Sequence, residues 1–361
     1  MALTAFAVAA PGVAPLVEQE LRALGIAPLE VTPAGVEFAA TPETLYAANL
    51  WLRTASRIVV RIGQFRVVTF AELQRFARKL PWSRFIGPDA SVDVRVTCTK
   101  SKLYHSDAVA ERILGVLGRE AGDGVLVVVR IDHDICTVSV DSSGELLHRR
   151  GYRLATAKAP LRETLAAAAL MASAWDTGTP LIDPLCGAGT IPIEAALLAR
   201  RRAPGLGRAF GFMRWPEFDR GVWASVESKA RAEETSGPIA PILASDRDAG
   251  AMEATVANAE RAGVAGDIEA RTVAISGIAP PRGPGWLVTN PPYGQRVGDV
   301  KMVRDLYAQL GQVARAKCQG WTVALLVSDL AMARQTRLAL TERLRTSNGG
   351  IPVALVSGRV D

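Results

Sequence analysis

Leu181-Ile182-Asp183-Pro184-Leu185-Cys186-Gly187-Ala188-Gly189-Thr190 reads as an apolar strand that breaks into a glycine turn, and Ile191-Pro192-Ile193-Glu194-Ala195-Ala196-Leu197-Leu198 continues it as a helix. The glycines accept positive φ and let a ligand approach the backbone closely. Thr190 suits the N-cap of the helix, and Pro192 falls in a first turn, where its missing N–H is not needed. The helix N-terminus then offers N–H groups to an anion such as the carboxylate of a methionine moiety. One βα unit later, Ile242-Leu243-Ala244-Ser245-Asp246 is a second strand ending in an acid, suited to the two hydroxyls of a ribose. The turn is not GxGxxG. Taken alone it leaves NAD-type and S-adenosylmethionine-type binding both open.

A second motif closes that question. Trp286-Leu287-Val288-Thr289 is an apolar strand running into Asn290-Pro291-Pro292-Tyr293-Gly294-Gln295-Arg296. An exocyclic amine on a nucleic-acid base is a poor nucleophile, because its lone pair is delocalised into the ring. The amide oxygen of Asn290 and the carbonyl of Pro291 can accept its two N–H bonds and draw the lone pair out of conjugation. The two prolines fix φ and hold that carbonyl rigid. Tyr293 can stack on the face of an unpaired base. The nitrogen becomes acidic as it is alkylated, so no strong general base is required, and none stands nearby in the sequence.

Outward from these motifs, the chain from Ala159 alternates helix, strand, turn, helix and strand, the pattern of a parallel sheet with crossover helices. The front half is mixed. Its strands are expected at Thr4 to Ala9, Gly35 to Ala39, Arg57 to Phe65, Ser91 to Thr97, Val125 to Asp132 and Ile135 to Asp141, the last two joined by a His133-Asp134 turn. Helices fit a segment from Pro11-Gly12 to Gly25, then Pro42 to Trp51, Thr69 to Lys79 and Ser106 to Gly118. The segment Gly151 to Lys158 is the expected domain boundary. At 361 residues, 49% hydrophobic and 22% charged, the chain has the balance of a folded protein of two or three units. The apolar stretch Leu165 to Trp175 is too short to span a bilayer, so no membrane partner is expected. The N-terminal run has no positive residue ahead of it, which argues against a signal peptide. Cys98, Cys136, Cys186 and Cys318 form no CxxC, and His105, His133 and His148 are scattered, so no metal or disulfide is expected and a reducing cytoplasm suits the chain.

The net charge of +6 is unevenly placed. Eleven Lys or Arg face three acids between Arg53 and Lys102. Arg149, Arg150, Arg153, Lys158 and Arg162 form a second run, and Arg200, Arg201, Arg202, Arg208 and Arg214 a third. Such clusters point to a polyanionic partner whose counterions they release.

With these motifs in this order, the chain resembles the THUMP-domain class I RNA methyltransferases, most closely the bacterial 23S ribosomal RNA guanine-N2 methyltransferases. Ala10-Pro11-Gly12-Val13 through Glu20-Leu21-Arg22-Ala23-Leu24-Gly25 is similar to the family's opening. Thr99-Lys100-Ser101-Lys102-Leu103-Tyr104-His105-Ser106 resembles its THUMP signature, and His148-Arg149-Arg150-Gly151-Tyr152-Arg153 with Ala159-Pro160-Leu161-Arg162-Glu163-Thr164 resembles its linker and lead-in helix. Asn348-Gly349 fits its last hairpin turn. The resemblance implies an α/β fold: a Rossmann-like seven-stranded methyltransferase sheet preceded by an α+β ferredoxin-like and THUMP RNA-binding region. It implies a ferredoxin-like domain over 1–50, THUMP over 51–150, a linker over 151–158 and a methyltransferase domain over 159–361. It carries Asp183, Cys186, Gly187, Gly189, Thr190, Asp246 and Asn290 over as cofactor residues for S-adenosylmethionine. Asn290, Pro291, Pro292 and Tyr293 are carried over as the catalytic loop, and Lys100, Ser101, Lys102, Arg149, Arg150 and Arg153 as RNA contacts. The family's usual acid for the cofactor adenine falls at Ala274, a departure. The chain also carries one methyltransferase sheet where some fused relatives carry a second methylating half.

The implied reaction is methylation of guanine N2 in RNA, with 23S ribosomal RNA as substrate. Transfer RNA is the alternative within the same class, and a DNA adenine-N6 methyltransferase shares the NPPY loop but carries a different recognition domain. An RNA-binding chaperone with a vestigial pocket is the non-enzymatic alternative. The division of labour predicts that the chain from about Arg153 onward binds the cofactor alone, while residues 1–150 hold RNA.

Overall fold

The computed structural model describes residues 3–154, 161–293 and 299–361. Lys158, Ala159, Pro160 and the Gly294-Gln295-Arg296 end of the catalytic motif lie outside them. The chain forms two compact units. One comprises residues 1–9, 17–147 and 207–228, the other 10–16, 148–206 and 229–361.

The first unit is built on one mixed sheet. In chain order its elements are β1 (Leu3–Val8), α1 (Ala14–Ala23), β2 (Pro28–Thr32), β3 (Gly35–Ala40), α2 (Pro42–Trp51), β4 (Arg57–Arg66), α3 (Phe70–Ala77), β5 (Val92–Thr99), α4 (Ser106–Leu117), β6 (Val125–Asp132) and β7 (Ile135–Asp141). Their order across the sheet is β2-β3-β1-β4-β7-β6-β5. The parallel pair β5 and β6 is possible because α4 provides the crossover. Thr41 and Thr69 close capping boxes on α2 and α3. The regions expected as domains at 1–50 and 51–150 contribute strands to one sheet, because β4 pairs with β1 on one side and β7 on the other. The edge strand β2 carried no periodic signal, since its Leu29, Glu30 and Val31 are all exposed.

Residues 207–228 belong to this unit although they follow the helix after the glycine turn in sequence. Phe212, Phe218 and Trp223 pack with Tyr46 of α2, whose ring stacks on Phe212 at 4.2 Å, and Phe210 stacks on Phe212. The strap enters through two glycines: a Cβ on Gly211 would lie 2.8 Å from the Gly144 nitrogen. Arg208 donates to the carbonyls of Glu145 and Leu146, and Arg84 pairs with Glu217. Within the range expected as the methyltransferase domain, 159–361, this aromatic segment packs with the first unit.

The second unit follows α5 (Glu163–Ala172), β8 (Leu181–Asp183), α6 (Thr190–Ala199), the last residues of α7 (Arg220–Ala232, most of which belongs to the first unit), β9 (Ile242–Asp246), α8 (Ala249–Ala262), β10 (Ile268–Thr272), β11 (Trp286–Thr289), α9 (Asp299–Lys317), β12 (Thr322–Val327), α10 (Leu330–Arg334), β13 (Thr341–Asn348) and β14 (Ile351–Arg359). The sheet runs β10-β9-β8-β11-β12-β14-β13, parallel up to β12 and antiparallel in the final hairpin. The direction of winding reverses between β8 and β11, and in such sheets a crevice opens there at the strands' carboxyl ends. The hairpin turn itself falls on Gly349-Gly350, both at positive φ (59° and 89°), one residue later than expected. The segment 10–16 packs on the edge strand β13, where a Cβ on Gly12 would lie 2.2 Å from the Arg345 carbonyl oxygen.

Candidate active site

Three strand ends meet at the switch point. Asp183 ends β8, Asp246 ends β9 and Thr289 ends β11. Asp183 is 1% exposed. Its Oδ1 accepts the Thr289 hydroxyl at 2.6 Å and the Leu185 N–H at 3.1 Å. Burial pushes its carboxyl up to about 7, the two hydrogen bonds oppose that, and the charge of Asp246 adds to it. The bond to Thr289 ties the glycine turn to the strand that carries Asn290.

The turn is shaped by positive φ at Gly187 (53°) and Gly189 (81°). A Cβ at Gly189 would lie 2.7 Å from Thr255 Cγ2, so the position requires glycine. Gly189, not Thr190, is the N-cap of α6; no side chain caps it, and Thr190 is a buried first-turn residue. That leaves the first-turn N–H groups for a ligand. Cys186 donates its N–H to the Ser245 carbonyl, and burial followed by Asp183 raises its thiol far above the usual range, so it is no nucleophile. Asp246 sits half-buried, its Oδ2 accepting the Gly187 N–H at 3.2 Å and its Oδ1 the Asp248 N–H at 3.0 Å. Both oxygens are thus oriented, each with lone-pair capacity left for a hydroxyl. Asp248 caps α8 through Gly250 and Ala251. These residues fit S-adenosylmethionine: an uncapped helix N-terminus, a turn that only glycine permits and an aimed carboxylate. Ala274, exposed at the opening of a short 3-10 turn after β10, offers no acid to an adenine amine.

Asn290 follows β11 directly. Its Oδ1 accepts the Tyr293 hydroxyl at 2.6 Å, and Pro291 is buried while Pro292 is exposed. Tyr293 also meets Asn348 at the end of β13, a hydrogen bond that opposes the upward push of burial on its phenol. Asn348, read in the sequence only as a turn residue, and Thr289 contact candidate site residues, which motif reading missed. Their partners lie far along the chain, and only sheet pairing brings them near.

The expected RNA contacts divide. Lys100 (φ 45°) and Lys102 are exposed, but Ser101 is a latch: its hydroxyl donates to the Thr99 carbonyl and accepts the Asp134 N–H, and Asp134 accepts the Lys102 N–H. Arg149 is exposed. Arg150 is buried against Glu194, and the partly buried Arg153 pairs with Glu163 and the Leu161 carbonyl, so each meets a desolvated carboxylate. In the third basic run, Arg200, Arg201 and Arg202 pair with Asp267, Glu233 and Glu234, and Arg214 donates to the Gly124 carbonyl. Arg53 is buried, while Arg66, Arg75, Arg78 and Lys79 remain exposed.

Among known proteins, residues 150–356 match the RMKL-like methyltransferase domain, 4–59 the RlmL ferredoxin-like domain and 67–141 the THUMP domain. A candidate RNA methyltransferase of Synechocystis is 33% identical over 97% of this chain and 95% of its own length. A ribosomal RNA large subunit methyltransferase K/L of Methylococcus capsulatus is 35% identical over 97% of this chain, which spans 50% of that protein. The solved structure of a candidate methyltransferase complexed with SAH, S-adenosylhomocysteine, matches with a TM-score of 0.88 and 28% identity over 100% of this chain and 98% of that one. Taken with the glycine turn, Asp246 and the Asn290 loop at one switch point, these matches make the chain a member of the RMKL-like family of S-adenosylmethionine-dependent methyltransferases.

Proposed function

We propose that the protein methylates the exocyclic N2 of a guanine in RNA, with 23S ribosomal RNA as substrate. The observation that supports this reading is the Asp183–Thr289 hydrogen bond, which ties the end of β8, ahead of the glycine turn, to the end of β11, ahead of Asn290-Pro291-Pro292-Tyr293. When bound, S-adenosylmethionine supplies an electrophilic methyl group. The chain supplies the rest. The second lone pair of Asn290 Oδ1 and the Pro291 carbonyl accept the two N–H groups of the target amine, while the prolines hold both acceptors still. The Tyr293 ring stacks on the extruded base, its hydroxyl anchored on Asn290. Lys100, Lys102, Arg149 and the exposed group Arg66, Arg75, Arg78 and Lys79 hold phosphates. The THUMP match and the K/L relatives support RNA over DNA, and 23S over transfer RNA.

The test is labelled methyl transfer to 23S RNA, transfer RNA and DNA from a deletion strain, followed by mass mapping of the modified nucleoside. N2-methylguanosine in 23S RNA, absent when the target guanine is replaced by inosine, is the expected result. Label in transfer RNA alone moves the substrate assignment, and label on adenine overturns the reading.

A further inference from the structure

Thr255 and Asn258 stand one turn apart on the inner face of α8, in no motif, and both are 0% exposed. The Thr255 hydroxyl donates to the Gly187 carbonyl at 2.8 Å, and Asn258 Nδ2 donates to the Ala188 carbonyl at 3.0 Å. One helix face therefore grips two successive carbonyls of the glycine turn. In a trans peptide the C=O and N–H point in opposite directions, so gripping the Gly187 carbonyl turns the Ala188 N–H away from α8. The Gly189 N–H is folded back onto the Cys186 carbonyl at 2.9 Å.

The Asn258 amide is locked in its orientation. Its Oδ1 accepts from the Arg261 guanidinium, and Arg261 Nε donates to the Tyr152 carbonyl at 2.7 Å. A flipped amide would face oxygen against the Ala188 carbonyl and NH2 against the guanidinium, with both contacts repulsive. Tyr152 is fixed in turn, its hydroxyl on Glu194 of α6 at 3.1 Å. The bonds run unbroken from α6 through Tyr152, Arg261 and Asn258 to the turn.

We propose that Thr255 and Asn258 are positioning residues for S-adenosylmethionine, holding the glycine turn in its binding conformation through the Gly187 and Ala188 carbonyls. This rests on the assignment of that turn as the cofactor loop. A buried pair that served only to satisfy backbone groups would move stability and leave cofactor affinity alone. Thr255→Val keeps the side chain's shape and removes its hydroxyl, and Thr255→Ser restores the hydroxyl. Asn258→Asp sets a carboxylate oxygen against the Ala188 carbonyl.

The experiment is calorimetric titration of each full-length variant with S-adenosylhomocysteine, alongside steady-state methyl transfer. A Gly187 carbonyl without the Thr255 hydroxyl predicts a Kd about tenfold higher for Thr255→Val, with Thr255→Ser within about threefold of wild type. Asn258→Asp follows Thr255→Val, and in both the KM for S-adenosylmethionine rises while kcat and the KM for RNA hold. A Kd within about twofold of wild type for both variants, with melting temperature lowered, overturns the proposal. If Asn258→Asp does not fold, the Thr255 pair decides. Asp246→Ala separates the layers: weakened binding there with none in Thr255→Val rejects the positioning role alone, whereas no effect in either rejects the cofactor-loop assignment as well.

Discussion

Replacing Asp246 by alanine removes the carboxylate at the end of β9 that is proposed to meet the cofactor ribose. Its two oxygens are oriented by backbone N–H groups of Gly187 and Asp248, so its geometry is set before any ligand arrives. Losing hydrogen bonding to a charged partner costs roughly 1.5–3 kcal/mol in total, because water replaces the carboxylate in the variant. A loss of that size corresponds to about 10- to 150-fold in Kd, at about 1.4 kcal/mol per tenfold. The freed Gly187 N–H adds little, because the turn is also held through its carbonyls. Asp248, whose Oδ1 caps α8 through the Gly250 and Ala251 N–H groups, is the next candidate for the ribose contact should affinity stay unchanged. Calorimetry with S-adenosylhomocysteine reads the effect directly, with RNA affinity as the control that stays constant. A Kd within about twofold of wild type would refute the ribose assignment and the fit argued from the strand ends.

Other consequences are open to measurement. Asn290→Ala is expected to lower kcat by about a hundredfold or more while leaving S-adenosylhomocysteine binding nearly intact, because it removes a preorganised acceptor at the reacting amine; near wild-type turnover would remove Asn290 from the chemistry. Asp183 and Glu163 are both buried with carboxyls raised to about 7, so the stability of their protonated forms is fully present below about pH 4 and lost as pH rises through 7. Asp183→Asn should therefore gain on wild type between pH 5 and 8, by on the order of 4 kcal/mol at most, in urea melts followed across pH; a pH-independent difference would contradict the raised carboxyl. Phe212→Ala should cost about 3–5 kcal/mol in the same assay, since the ring is fully buried in the strap's aromatic cluster. For the same reason a chain starting near Arg153 should bind a hydrophobic dye and aggregate unless Phe210, Phe212, Phe218 and Trp223 are made polar, a revision of the expectation that this piece stands alone. Charge reversal at Lys100 and Lys102 should raise the RNA Kd and flatten its salt dependence without touching cofactor affinity; an unchanged salt slope would free that loop from RNA.

Where the chemistry lay in local motifs, the linear chain was sufficient. The glycine turn, the acid that ends β9 and the NPPY loop are each short runs whose residue types are tied to backbone conformation, so their places at the strand ends were legible. The same holds for strands and helices with clear periodicity, such as β6, β7 and α2, which match the expected bounds closely.

Three kinds of fact needed the folded chain. Whether an arginine is a phosphate contact or a buried counter-ion depends on which carboxylate it meets, and Glu194 lies 44 residues from Arg150. Whether Thr190 or Gly189 caps α6 depends on a backbone φ of 81° that a neighbouring threonine packs against. Most of all, the aromatic run from Phe210 to Trp223 looks like part of a crossover in a parallel sheet, yet it packs on α2 more than 150 residues earlier. Composition records that such a segment must bury its rings, because exposed aromatic area is costly in water. It carries no record of the surface that buries them, since that surface exists only once β4, α2 and the Gly144 turn have been brought together by the first unit's own sheet.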